Sequence, residues 1–173
     1  MNKRVDKYIS VIICILLCAV MLFGSKESEL KTASIESITY NDIALFPGYN
    51  RVYVISSDEI TYYDLTDYWE NHSYDYFEDS LPPEGKYYSR SYKINEEQWN
   101  FLVNNMKKNK YNQIPKNLSV NGFDDGGYSY IEVKTDKNSY FFGGFAPEKG
   151  YLISNNRFKR ISRCIEYVVS EVR

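Results

Sequence analysis

The stretch Tyr128–Phe145 restricts the possible folds more than any other part of the chain. Tyr128–Thr135 alternates, with Ile131 and Val133 pointing one way and Tyr130, Glu132 and Lys134 the other. Asp136-Lys137-Asn138 supplies turn residues, and Ser139–Phe145 brings the chain back. This is a β-hairpin signal. A lone hairpin is marginal in water, so the pattern asks for more strands and a layer to cover the apolar face. Glycine pairs punctuate both ends. Gly126-Gly127 precedes the first strand and is read as allowing positive φ there. Gly143-Gly144 ends the second strand and suggests a bulge or a close approach of backbone.

Asp124-Asp125 stands just before the first glycine pair. A calcium loop of EF-hand type needs oxygen ligands at alternate positions and a distal Glu. Adjacent aspartates diverge, and Glu132 is too near for that role. A phosphate cradle needs glycines that lead into a helix, and these lead into a strand. The residues read as hairpin punctuation, with Asp124 and Asp125 kept as binding candidates. No metal or cofactor is expected.

More strand and helix signals accompany the hairpin. Arg51–Leu65 holds two β-rich runs around Ser56–Asp58, a second hairpin. Lys86–Ile94 alternates, with Tyr88, Arg90, Tyr92 and Ile94 on one side. A helix is predicted over Ile94–Asn109. Asn95 is a suitable N-cap, Gln98 completes a capping box, and Ile94 with Trp99 has staple spacing. Trp99, Leu102, Val103 and Met106 form its apolar stripe, with Trp99 expected as a core anchor. A second helix is predicted over Asn155–Arg173, with Phe158, Ile161, Ile165, Val168 and Val172 sharing a face.

The other strong signal is at the N-terminus. Lys3, Arg4 and Lys7 precede an uninterrupted apolar run, Tyr8–Phe23. This pattern fits a signal peptide or an uncleaved membrane anchor, and either places the remainder outside the cytoplasm. Leu17 before Cys18 and Ile13 before Cys14 do not make a lipoprotein cleavage site. Residues 1–25 are therefore assigned to targeting, 26–40 to a polar tether and 41–173 to a single domain. Only Cys164 remains in that domain, so no internal disulfide is available, and it reads as a small buried hydrophobe. The net charge of -2 argues against nucleic acid as a partner.

Catalytic signatures are weak. His72 is the one histidine, which leaves too few ligands for zinc and no defined triad. No catalytic residue is assigned. The long connection Asp64–Gly85 is the better functional candidate. It carries Asp64, Asp67, Glu70, Asp75, Glu78 and Asp79 among Tyr68, Trp69, Tyr74, Tyr76 and Phe77, with no Lys or Arg up to Asp79. Aromatic planes beside carboxylates suit a sugar, a cation or a protein surface. The chain's 18 Tyr point either to an adhesive aromatic surface or to an AT-rich genome.

The segments "EEQWNFLVNNM", "DDGGYSYIEVKTDKNSYFFGGFAPE" and "NRFKRISRCIEYV" together resemble a loose group of exported bacterial domains, many of them lipoproteins. The likeness covers about the last half of the chain and departs from the group in lacking a lipobox. It implies export and an α+β domain, and no particular reaction. The expectation is an α+β fold: an antiparallel sheet of about four to six strands, with two main helices packed on one face, preceded by an N-terminal hydrophobic segment. The expected function is a non-enzymatic envelope module that binds a protein or glycan. The alternatives are a carboxylate-dependent hydrolase and a structural or sensory ectodomain.

Overall fold

The computed structural model describes residues 11–13, 15, 24–44, 49–66, 87–122 and 126–173. The chain divides into two units, Met1–Ala33 and Ser34–Arg173. In the first, residues 11–13, 15 and 24–32 are helical. No helix among the described residues is long and apolar enough to cross a membrane. Most of Tyr8–Phe23 lies outside the described residues.

The second unit is an α+β domain built on a six-stranded antiparallel sheet. The strands are β1 (Ile35–Ala44), β2 (Tyr49–Ile55), β3 (Glu59–Asp64), β4 (Tyr88–Lys93), β5 (Gly127–Thr135) and β6 (Ser139–Phe145), in spatial order β4-β3-β2-β1-β5-β6. The first four form a meander. Helix α1 (Glu96–Lys108) then carries the chain back, so that β5 pairs with the free side of β1. Helix α2 (Ile153–Val172) follows β6. β1 starts at Ile35, inside the stretch read as tether, so residues 35–40 belong to the sheet. A register shift between Ile35 and Ser37 interrupts its alternation and hides the strand in the sequence.

Register arranges one face of the sheet into cross-strand rows. Tyr140, Val133, Ile38, Ile55, Ile60 and Tyr92 form an apolar row. Phe142, Ile131, Tyr40, Tyr53, Tyr62 and Arg90 form the next. Helix α2 lies on this face: Phe158 meets Phe142 edge-on at 6.2 Å, and Tyr40 reaches Glu166. Phe158, Ile161, Ile165 and Val168 are buried as the helical spacing predicts, and Val172 is half-buried. Helix α1 packs beside α2, with Phe101 edge-on to Tyr167 at 5.8 Å. Its capping box forms as expected, with Gln98 N–H donating to Asn95 and Asn95 N–H to Gln98. Leu102 and Met106 are the buried residues of α1. Trp99 is only half-buried, so it is not the core anchor expected of it.

The glycine pairs act through space as much as through φ. Gly126 and Gly127 do not have positive φ, contrary to expectation. A Cβ on Gly127 would run into the Ile43 carbonyl, and one on Gly126 into the Phe145 ring. Gly143 and Gly144 do have positive φ, 152° and 150°. Residues 116–120 run along the β6 edge there, with Leu118 N–H donating to Gly143 O at 2.8 Å and Val120 N–H to Phe145 O at 2.9 Å. This is the close backbone approach that the glycines were read to signal, and it also covers the sheet edge.

Candidate functional site

Beyond the two apolar rows, the same sheet face carries a third: Ser129, Asp42, Arg51, Asp64 and Tyr88. Strand alternation places these polar side chains on the face that α2 covers, and α2 does not cover them completely. A cleft of about 410 Å³ remains, lined by Tyr40, Asp42, Arg51, Tyr53, Glu166 and Arg173 with Val169 and Ser170. That volume is in the range of small-ligand sites, about 300–1,000 Å³.

Tyrosines hold the charges in place. Tyr49 OH donates to Asp42 Oδ2 at 3.0 Å, and Ser129 Oγ donates to Asp42 Oδ1 at 3.3 Å. Tyr40 OH donates to Glu166 Oε1 at 3.2 Å. Tyr62 OH donates to Asp64 Oδ2 at 2.9 Å, and Thr66 donates to Asp64 Oδ1 from both its N–H and its hydroxyl. The Arg51 guanidinium lies 4.2 Å from the centre of the Tyr49 ring, and Arg173 lies 4.7 Å from that of Tyr62. Arg173 Nη1 also reaches Tyr53 OH at 3.5 Å. Tyr40, Tyr53 and Tyr62 follow one another across three strands, with ring centres 6.2 Å and 5.3 Å apart.

Ionisation follows from these surroundings. Burial raises the Asp42 carboxyl above its usual range, against the opposing pull of Tyr49, Ser129 and Arg51. Burial also raises Glu166, and the nearby Asp42 charge adds to the effect. Asp64 goes the other way: burial is outweighed by its bonds from Thr66 and Tyr62 and by Arg51. Burial and the Asp42 charge push Tyr49 up to about 12. Tyr40 is raised as well, mainly by burial. No ion pair joins Arg51 or Arg173 to Asp42 or Glu166. Arg51 Nε is buried and has no hydrogen-bond partner among the described residues.

The residues singled out from sequence, Tyr68, Trp69, Tyr74, Tyr76, Phe77, Asp124 and Asp125, lie outside the described residues, as does His72. The residues that flank them are described. Asp64 and Tyr88, which bound the β3–β4 connection, pair with each other in the charged row. Gly127, which follows Asp125 and Gly126, pairs with Ala44 at the same end of the sheet. Sequence reading missed Asp42, Arg51, Glu166 and Arg173 as a group. Asp42 and Arg51 sit inside strands, whereas Glu166 and Arg173 belong to the last helix and its end, so no local pattern groups them. No group of three or more His, Cys, Asp or Glu suited to a metal ion occurs among the described residues. Cys164 is half-buried, and burial raises its thiol.

In the comparison with known proteins, no family model matches the chain and no curated protein is significantly similar to it.

Proposed function

We propose that the chain is an exported, non-enzymatic binding module of the bacterial cell envelope. Its cleft takes a ligand that carries both an ammonium and a carboxylate, such as a peptide end on a protein or on a glycan-linked peptide. One observation carries this reading: Arg51 and Arg173 share the cleft with Asp42 and Glu166, yet no ion pair joins a guanidinium to a carboxylate there. Partly buried charges normally find a partner. A ligand carboxylate would complete a forked bond to a guanidinium. A ligand ammonium would sit among the carboxylates and the tyrosine rings. The basic, then apolar, N-terminus supports export, and the resemblance to exported bacterial domains points the same way.

The test is an NMR titration of residues 26–173 with Ala-Ala, its N-acetyl form and its amide. The expected result is shifts around Tyr40, Arg51 and Arg173 with the free dipeptide, weakened when either end is capped and lost in Arg51→Met. Equal responses to all three probes, or none, would refute the zwitterion reading. The loop aromatics are tested separately: Tyr68→Ala with Trp69→Ala should reduce retention by envelope material without unfolding the domain.

A second reading has its own support. Asp42 and Glu166 are both raised and face one cleft, which suits an acid/base pair in a hydrolase. Turnover in a broad glycan and ester screen, lost in both Asp42→Asn and Glu166→Gln, would favour it over binding alone.

A further inference from the structure

Tyr151, Leu152 and Ile153 are 94%, 71% and 74% exposed. Scattered apolar side chains on a surface are ordinary, but three large ones in sequence are not. They stand where the turn Pro147–Lys149 hands over to α2. Leu152 occupies the N-cap position and makes no capping bond, although Ser, Thr, Asp or Asn would suit that position better. Folding of the domain therefore gives no reason for this leucine to be here.

Arg157, Arg160 and Arg163 follow on α2 at helical spacing that keeps them on one side. Arg160 and Arg163 are exposed and Arg157 is half-buried. None of the three makes an ion pair among the described residues. Farther along the same side is Tyr167, 55% exposed and edge-on to Phe101, itself 40% exposed. Acidic groups are present nearby: Glu148 lies in the turn before Tyr151, and the Arg163 charge acts on Glu166. Glu166 turns to Tyr40 and the cleft, and Glu171 is at the far end of the helix. The whole chain is slightly acidic, so these three arginines are a local concentration of positive charge.

We infer that this outer side of α2 docks on an anionic lipid bilayer. Tyr151, Leu152 and Ile153 enter the headgroup region, where aromatic and aliphatic tips gain from leaving water. The arginines take lipid phosphates as forked, charge-assisted bonds. The inference does not involve the cleft and stands or falls without it.

The experiment is vesicle flotation of residues 26–173, which keep the whole Ser34–Arg173 core. Phosphatidylcholine vesicles with about one-third phosphatidylglycerol are compared with phosphatidylcholine alone. The expected result is binding to the anionic vesicles only, reduced at high salt. Arg157→Gln, Arg160→Gln and Arg163→Gln combined should lower the partition coefficient about a hundredfold, from about fivefold per charge near a bilayer. Tyr151→Ser, Leu152→Ser and Ile153→Ser combined should lower it at least about tenfold. All but the half-buried Arg157 are exposed, so circular dichroism of both variants should match the parent, and Asp42→Asn should float as the parent does. Equal recovery on the two vesicle types, flotation unchanged in either variant, or capture of a protein partner without vesicle binding would overturn the inference.

Discussion

Asn155 is a buried polar residue in the first turn of α2, and its side-chain amide ties three segments together. Its Nδ2 donates to Leu118 O at 3.1 Å and to Pro147 O at 2.8 Å. Each bond contributes about 1 kcal/mol net, and a buried carbonyl left without its donor costs about 1–3 kcal/mol. Asn155→Leu should therefore destabilise the domain by about 2–4 kcal/mol. At about 3 °C of melting temperature per kcal/mol for a domain of this size, the shift is about 6–12 °C. Asn155→Asp should cost at least as much at neutral pH, because it replaces the donor with a charge facing two carbonyl oxygens. A coupled variant sharpens the test. A Cβ on Gly150 would collide with the Asn155 amide, although the Gly150 backbone itself, with φ -73°, accepts any residue. Gly150→Ala should be costly alone and nearly neutral in an Asn155→Ala background, a departure from additivity that identifies direct contact. Urea and thermal unfolding of the parent, the single variants (Asn155→Ala included) and the double variant, followed by circular dichroism, measures this. Additive costs, or Asn155→Leu within about 0.5 kcal/mol of the parent, would refute the reasoning.

Three further predictions concern the core, a glycine and the cleft. Phe158→Ala should cost about 3–5 kcal/mol, since the ring is fully buried against Phe142; a loss below about 1.5 kcal/mol in urea unfolding would contradict the helix–sheet packing described. Gly143→Ala should cost more than about 1 kcal/mol, because φ is 152° and the new methyl meets Ser129 O and Tyr130; an unchanged urea midpoint would refute it. For Asp42, a raised folded pKa means a contribution to stability that is fully present below the unfolded value of about 3.9 and lost as pH rises through the folded value. Asp42→Asn should thus become progressively more favourable relative to the parent as pH rises above the unfolded value, whereas Asp64→Asn, from a lowered carboxyl, should become less favourable as pH rises through the acid range; pH-independent differences would remove the electrostatic account of the cleft.

Much of the framework was legible locally. The capping box of α1 needs only Asn95 and Gln98 three residues apart, and it forms. Both hairpins carry their turns in short contiguous segments, and β5 alternates so that Ile131 and Val133 face the helices. The Phe158–Val168 stripe of α2 follows from helical period alone. These features depend on neighbours in the chain, and composition states them directly.

The cleft depends on neighbours in space. Asp42 and Arg51 meet because β1 and β2 pair in one register, and a shift of one residue would turn both away. Asp64 joins them through β3, and Ser129 through β5, which reaches β1 only after the α1 crossover. Glu166 and Arg173 arrive from a helix more than a hundred residues later in the chain, positioned by the packing of Phe158 on Phe142. The same packing turns Tyr151–Ile153 and the arginines of α2 outward. Alternation and helical period decide which face a residue takes; strand order, register and helix docking decide which faces meet, and only their combination brings two carboxylates and two guanidiniums to one cleft.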